Sequence, residues 1–182
     1  MAQENATAAI PDSLTFEKAT TLPLAVSTAS VGLYLPDYLG LPLPSTSPES
    51  TEQTLLVWGA ASSVGATAVQ LAVASGLRVI ATASPANHQF VKDLGASVVF
   101  DYRSPTVVND IVNELRGKEI AGAYDAISEE ATFGPLSAIA EELGGLPVAS
   151  VLPYKNPSEA FKPKPGMPVD SNNKKTTETD RC

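Results

Sequence analysis

Cysteine and histidine are almost absent from the sequence. Its 182 residues include one cysteine, Cys182 at the last position, and one histidine, His88. A single cysteine excludes a disulfide within the chain, and one residue of each kind cannot build a zinc site of the common Cys/His types. The sequence therefore predicts a fold that depends on its apolar core, with no metal site.

Net positive charge and long apolar runs are also missing. The formal charge of −8 argues against a nucleic-acid partner, because phosphate binding needs a basic face. The apolar stretch LPLAVSTASVGLYL (22–35) is too short for a membrane span and contains Pro23. With no basic, apolar leader at the start, we expect a cytoplasmic protein that binds neither nucleic acid nor membrane.

Glycine is missing from a turn where it is often expected. The stretch TLLVWGAASSVGATAVQLAVASGLRVIATAS (54–84) has the order strand, small-residue turn, helix, strand, which is typical of a dinucleotide-binding unit. Counting back from Gly65 places the glycines of the G-x-G-x-x-G fingerprint at Ala60, Ser62 and Gly65. Ala and Ser still let backbone amides approach a pyrophosphate where no positive φ is needed. Cofactor binding and tight packing of a strand–turn–helix corner are both open interpretations of this loop.

Composition divides the chain into three zones. Residues 1–53 form an N-terminal helical segment and loop, in which SLTFEKATTLPLA predicts a helix capped by Ser13 and a second helix starting at Pro23. Residues 54–152 alternate between apolar runs and helical patterns. Residues 153–182 are rich in proline and lysine and poor in apolar side chains, which predicts a disordered polar tail.

The alternation within the central zone predicts an α/β fold. Predicted strands lie at about 54–58, 78–82, 97–100, 122–127 and 147–152. Predicted helices lie at about 64–75, 86–94, 105–116 and 131–143. Gly76 and Gly95 suit the ends of the first two of these helices. Five strands in this order predict a doubly wound parallel Rossmann sheet of order 3-2-1-4-5, without a sixth strand.

The end of the second predicted strand bears on the choice of cofactor. NAD-specific units place an Asp or Glu about 20 residues after the glycines, where it bonds the ribose 2′-hydroxyl. Here the strand is followed by SPANHQF, and the next acid is Asp93. Ser84, Asn87 and His88 can instead donate hydrogen bonds to a 2′-phosphate. Ser84 also suits the N-cap of the next helix, and the two roles are compatible.

No residue can be assigned as a catalytic acid, base or nucleophile. The sequence lacks Tyr-x-x-x-Lys, a phosphate-binding Gly-Lys-Ser/Thr and a Gly-x-Ser-x-Gly elbow. His88 is interpreted as a surface residue, and Asp101 and Asp125 as strand-end residues with solvated or capping roles. Tyr102 and Arg103 follow the third strand, at the edge where ligands bind in open α/β sheets; such a pair is also ordinary surface.

Four segments in order carry a family resemblance: LPLAVSTASVGLY, VWGAASSVGATAVQLA, VIATASPANHQFVKDLGA and VFDYRSPTVV. Together they resemble the medium-chain dehydrogenase/reductases over roughly residues 10–155, especially the zinc-independent quinone-oxidoreductase-like and trans-acting enoyl-reductase-like proteins. The resemblance implies NADPH as cofactor and hydride transfer to an activated C=C or C=O bond of a small-molecule substrate. It also implies that residues 1–53 are the remnant of a domain junction, with most of a GroES-like substrate domain and the C-terminal end missing.

The same resemblance implies a set of cofactor-binding positions. These are Thr28 near the nicotinamide, Ser62, Ser63 and Val64 along the pyrophosphate, and Ser84, Asn87 and Tyr102 around the 2′-phosphate. Relatives often carry Lys near Asn87 and Gly where Ser128 stands.

Three functions are open from the sequence. The first is an NADPH-dependent oxidoreductase that is completed by another chain or is only weakly active. The second is a non-catalytic NADPH-binding module. The third is a vestigial domain whose exposed sheet edge favours self-association.

Overall fold

The computed structural model describes residues 8–153 together with the two-residue strand Lys164–Pro165. Its helices are α1 (Phe16–Ala19), α2 (Pro23–Tyr34), α3 (Ser63–Ala74), α4 (His88–Asp93), α5 (Val107–Leu115) and α6 (Glu130–Glu142). Its strands are β1 (Gln53–Trp58), β2 (Arg78–Ala83), β3 (Val98–Asp101), β4 (Glu119–Asp125), β5 (Val148–Ser150) and β6 (Lys164–Pro165). A 3-10 turn, Pro85–Asn87, leads into α4.

The strands of the described sheet are parallel and lie in the order β3-β2-β1-β4-β5-β6. The five predicted strands therefore occur in the predicted order. β6 pairs with the outer side of β5, so the expectation of a sheet without a sixth strand was wrong. β4 begins at Glu119 rather than near residue 122, because Glu119 and Ile120 extend the pairing along Gln53 and Thr54 of β1.

Side chains on the strands alternate between two cores, one on each face of the sheet. On β1, Leu55 and Val57 pack with α2, α3 and α4, whereas Leu56 and Trp58 pack with α5 and α6. Helices therefore cover both faces of the sheet, which confirms the doubly wound architecture.

The start of the first helix differs from the prediction. Thr15, not Ser13, is the N-cap of α1, and its Oγ1 accepts a hydrogen bond from the backbone N–H of Lys18 at 3.4 Å. The prediction was wrong because Ser13 and Thr15 are both good cap residues, and local preference does not choose between them. Pro23 begins α2, as predicted.

Two tyrosines fix α2 on the face of the sheet that α3 also covers. The Tyr124 hydroxyl, on β4, donates to the Thr28 carbonyl at 3.1 Å, and the Tyr34 hydroxyl donates to the Leu71 carbonyl at 3.2 Å. A Cβ added to Gly32 would lie 2.5 Å from Cε2 of Tyr124, so glycine allows the helix to approach this ring. Burial raises the pKa of Tyr124 far above its ordinary value, which keeps the hydroxyl protonated as a donor.

Glycine ends two of the helices as predicted. Gly76 follows α3 with a φ of +82°, and Gly95 follows α4 with a φ of +110°. A left-handed glycine just past the last helical residue is the usual helix stop.

Apart from residue 153 and β6, the predicted disordered tail at 153–182 lies outside the described residues. Within the part of the chain that is described, no helix combines the length and the apolar character needed to cross a membrane.

Candidate functional site

A cavity of about 320 Å³ opens at the carboxyl ends of β1, β2, β3 and β4. This is the edge at which open α/β sheets bind ligands, between strands whose connections run in opposite directions. Its walls are formed by Trp58, Gly59, Ala61, Ser62, Ala83, Ser84, Asn87, Tyr102, Ile127, Glu129, Ala131 and Thr132. The cavity therefore combines apolar walls with a small number of polar groups, as expected for a small-molecule site.

The turn between β1 and α3 forms the floor of the cavity. Ser62 is the N-cap of α3, and its Oγ accepts from the backbone N–H of Gly65 at 3.0 Å. A Cβ on Gly65 would lie only 2.3 Å from the Gly59 carbonyl oxygen, so the helix can approach the turn only with glycine there. Close packing of α3 on the turn therefore requires glycine at this fingerprint position.

The residue with a positive φ in this turn is Gly59, which is not one of the three fingerprint positions. Gly59 has a φ of +77°, whereas Ala60 is not among the positive-φ residues and Ser62 has a φ of −71°. The Thr82 side chain on β2 accepts from the Gly59 N–H at 3.0 Å and holds the turn. Ala and Ser are thus free of backbone strain where the fingerprint has its first two glycines, while sequence counting missed Gly59.

The N-terminus of α3 points free donors toward the same turn. The first N–H groups of a helix have no partner within it, and here Ser62 satisfies that of Gly65. Those of Ser63 and Val64 have no intrahelical acceptor, and the helix dipole adds partial positive charge there. The Ser63 side chain is exposed and that of Val64 is half-buried, and neither lines the cavity wall. Any contribution of these two residues to a bound anion therefore comes from their backbone.

The β2 side of the cavity carries uncharged donors. Ser84 directly follows β2, and Asn87 Nδ2 donates to Ser84 Oγ at 3.1 Å. Ser84 is the N-cap of the 3-10 turn but makes no side-chain cap hydrogen bond, so its hydroxyl remains available to the cavity. His88 Nε2 lies 3.1 Å from the Ala83 carbonyl oxygen, and His88 does not line the cavity.

An acidic residue, Asp101, lies next to the end of β2, although it is distant from Ser84 and Asn87 in the sequence. Asp101, the last residue of β3, pairs with Ala83 in the register of β2 and β3. Its Oδ1 accepts from the backbone N–H of Arg103 at 3.1 Å and from Arg103 Nε at 3.3 Å. The backbone hydrogen bond is the main reason why the pKa of Asp101 is lowered. Its charge is thus balanced by Arg103, whose guanidinium also lies 5.5 Å from the centre of the Tyr102 ring.

The β4 side of the cavity is built around a buried carboxylate. Asp125, the last residue of β4, is fully buried. Its Oδ1 accepts from the backbone N–H groups of Ile127 and Ser128, and its Oδ2 accepts from Thr132 Oγ1 at 2.6 Å. The prediction of a strand-end capping role is confirmed for this residue, whereas a solvated role is excluded by its burial.

Four of the sequence-predicted cofactor residues line one cavity, namely Ser62, Ser84, Asn87 and Tyr102. Thr28 lies on α2, half-buried and outside the cavity wall, with its carbonyl bonded to Tyr124. The structure thus places the three residues proposed for the 2′-phosphate in one cavity with Ser62, one of the three proposed for the pyrophosphate. The roles of Ser63, Val64 and Thr28 stay predictions.

Known proteins that are similar to this chain point to one family. The family described as zinc-binding dehydrogenase matches residues 63–175. Dehydrogenase azaJ of Aspergillus niger is 46% identical over 156 residues, covering 82% of this chain and 45% of that protein. Trans-enoyl reductase himH of Aspergillus japonicus is 48% identical over 143 residues, covering 78% of this chain and 41% of that protein.

A solved structure is also similar to this chain. A mycobacterial protein solved in complex with NADPH is 29% identical, with a TM-score of 0.58, and the match covers 79% of this chain and 40% of that one. The chain therefore spans less than half the length of the relatives it matches.

The family's description names zinc, but the described residues do not fit that metal. Among residues 8–153 and 164–165, no group of three or more His, Cys, Asp or Glu side chains is placed to hold a metal ion. The single histidine of the chain lies beside a backbone carbonyl instead.

Proposed function

Because the chain belongs to the zinc-binding dehydrogenase family, the medium-chain dehydrogenase/reductases that its sequence resembles, we propose that its cavity binds NADPH. In this proposal the chain forms the hydride-donor side of an oxidoreductase. The pyrophosphate lies at the N-terminus of α3, and the adenosine 2′-phosphate lies against Ser84, Asn87 and Tyr102. The nicotinamide then extends toward β4.

One observation carries the preference for NADPH: the side chains that line the cavity after β2 are neutral. Ser84 and Asn87 occupy the positions where an NAD-specific site would have a carboxylate. The nearby Asp101 is paired with Arg103, so it does not present an uncompensated negative charge to a phosphate. A 2′-phosphate would therefore meet the neutral hydrogen-bond donors of Ser84 and Asn87 rather than a free anion.

Hydride transfer to an activated C=C or C=O bond of a small molecule is the proposed reaction. NADPH supplies the hydride when bound, and the chain's own residues bind and orient it. Trp58 and Ile127 offer apolar surface on the β4 side of the cavity, which would limit water around the ring. A relative is named a trans-enoyl reductase, which supports an enoyl substrate; a quinone-like acceptor is the second class to test.

Fluorescence titration of the purified chain tests the cofactor proposal directly. Trp58, the only tryptophan, is buried and lines the cavity. We expect saturable quenching by NADPH and a much weaker response to NADH. A folded chain that shows no saturable binding of NADPH by fluorescence or calorimetry would contradict the proposal.

Asn87→Asp should reduce the preference for NADPH over NADH. A carboxylate there repels the 2′-phosphate and can accept from a ribose hydroxyl, so the Kd for NADPH should rise at least about tenfold, with NADH affected little. Asn109→Asp makes the same change on the exposed surface of α5 and should leave both affinities unchanged. Equal losses for NADPH in the two variants would mean that Asn87 does not face the phosphate.

Turnover separates the proposed enzyme from the alternatives. Oxidation of NADPH with enoyl thioesters or quinones, by the chain alone or with a complementing chain, would support an oxidoreductase. Binding without turnover under any of these conditions would favour a non-catalytic NADPH-binding module. A chain that self-associates and binds no cofactor would favour a vestigial domain.

A further inference from the structure

Asp125 is buried in the protein at the point where β4 passes into the loop before α6. We infer that it is a positioning residue, which sets the wall of the cavity on the nicotinamide side without touching the cofactor. The inference rests on the proposed binding of NADPH and adds the device that would hold one half of that ligand in place.

The carboxylate of Asp125 ties three parts of the β4–α6 connection together. Its Oδ1 accepts from the backbone N–H of Ile127 at 3.0 Å and from that of Ser128 at 3.1 Å. Its Oδ2 accepts from Thr132 Oγ1, on the first turn of α6, at 2.6 Å. Hydrogen bonds to a buried charge are stronger than neutral ones, so the loop and the helix start are held as one unit.

This unit forms the cavity wall through Ile127. A Cβ added to Gly59 would lie 2.3 Å from Cγ1 of Ile127, so the Ile127 side chain occupies the space that glycine leaves over the β1 turn. Ile127, Glu129, Ala131 and Thr132 all line the cavity. A shift of the loop would therefore move Ile127 away from Gly59 and change the shape of this side of the cavity.

The sheet order assigns this wall to one half of the ligand. β4 lies on one side of β1, and β2 and β3 lie on the other. With the adenosine 2′-phosphate at Ser84, Asn87 and Tyr102, a dinucleotide that crosses the β1 turn has its nicotinamide half at β4. Asp125 should therefore influence NADPH but not a ligand that fills only the adenosine half.

Thr132→Val tests this distinction with two probes, NADPH and adenosine 2′,5′-bisphosphate. The substitution removes the Thr132 hydroxyl, whose hydrogen-bond partners are the Asp125 carboxylate and the Glu129 carbonyl at the start of α6. It should raise the Kd for NADPH about tenfold, while the Kd for the bisphosphate changes less than about twofold. Thr132→Ser, which keeps the hydroxyl, should restore the affinity for NADPH. Thr106→Val, which removes the exposed bond from Thr106 to Asp110, should leave both affinities unchanged.

Asp125→Asn provides a second variant if Thr132→Val does not fold, as judged by its thermal transition and Trp58 emission. It keeps the side-chain size and weakens the bonds to the loop, so the same selective loss of NADPH binding is expected. Unchanged affinities, or equal losses for NADPH and the bisphosphate, would overturn the positioning role while leaving the proposed function intact. A wild-type chain that binds neither probe would overturn both.

Discussion

Ser128 holds a backbone conformation that normally favours glycine. Its φ is +57°, in the left-handed region. Its N–H donates to Asp125 Oδ1, and its Oγ donates to the Asp125 carbonyl and accepts from the N–H of Leu152. The side chain therefore links the end of β4 to the segment after β5, a contact that glycine could not make. Strain at this residue is offset by hydrogen bonds on both sides.

Substitutions at Ser128 should separate these two contributions. Ser128→Ala and Ser128→Gly both remove the hydroxyl bonds, but only Gly also relieves the left-handed strain. Ser128→Gly should therefore be more stable than Ser128→Ala by about 1 kcal/mol, measured as the difference in the free energy of urea unfolding. A more stable Ala variant would show that the backbone is not strained at this position.

The connection from β1 to α3 depends on close approach between a helix and a turn. A Cβ on Gly65 would meet the Gly59 carbonyl oxygen at 2.3 Å and the Ala60 Cα at 2.9 Å. Both are backbone atoms that cannot move without shifting the strand or the helix. Because the same turn carries the N-terminal donors of α3, its packing and its proposed phosphate binding cannot be changed separately.

Gly65→Ala should destabilise the fold much more than Gly134→Ala. At Gly65 the added methyl group forces α3 away from the turn, which should cost about 1–3 kcal/mol and abolish NADPH binding. At Gly134, inside α6, no heavy atom beyond the adjacent residues and the backbone of the helix itself lies within 4 Å of an added Cβ. The gain in helix propensity from alanine is opposed there by the following Pro135, which disfavours the helical conformation of a preceding residue that has a Cβ, so stability should change by less than about 1 kcal/mol and NADPH binding should be kept. Thermal unfolding and NADPH titration of both variants check these expectations, and a stable Gly65→Ala chain with normal affinity would contradict them.

The elements were predictable where a local rule decides them. Pro23 at a helix start and Gly76 and Gly95 after helices follow from backbone restrictions, and the sheet order follows from the alternation of strands and helices. The start of β4 and the pairing of β6 depend on neighbouring strands, so local sequence did not reveal them.

The candidate site was predictable in its small-residue turn and in the neutral residues after β2. The contacts between residues of different strands and loops at the site were not predictable. Asp101 lies beside Ala83 because of the register between β2 and β3. Gly59, which has a positive φ, is contacted by Thr82 on one side and lies close to Ile127 on the other, and these residues are far from it in the chain. Asp125 was recognised as a strand-end residue, but its partner Thr132 on α6 could be identified only from the fold.

At the scale of the whole molecule, the cavity draws its walls from four strand ends. The same elements contribute the two cores on either side of the sheet. A ligand that contacts the β2 side, the α3 terminus and the β4 loop together would therefore bind only when all of them are folded. Binding and global stability should be thermodynamically linked.

Saturation with NADPH should raise the thermal unfolding midpoint of the chain. A ligand at about 100 times its Kd that binds only the folded state adds about 2.7 kcal/mol, which for a chain of this size corresponds to roughly 5–10 °C. The shift should grow with the logarithm of the NADPH concentration, remain in Asn109→Asp and vanish in Gly65→Ala. Adenosine 2′,5′-bisphosphate at the same concentration should give a smaller shift, since it lacks the half of the ligand that meets the β4 loop. Calorimetry of the folded chain over a range of NADPH concentrations provides the measurement. A midpoint independent of NADPH would mean that the cavity is a feature of the fold and not a cofactor site.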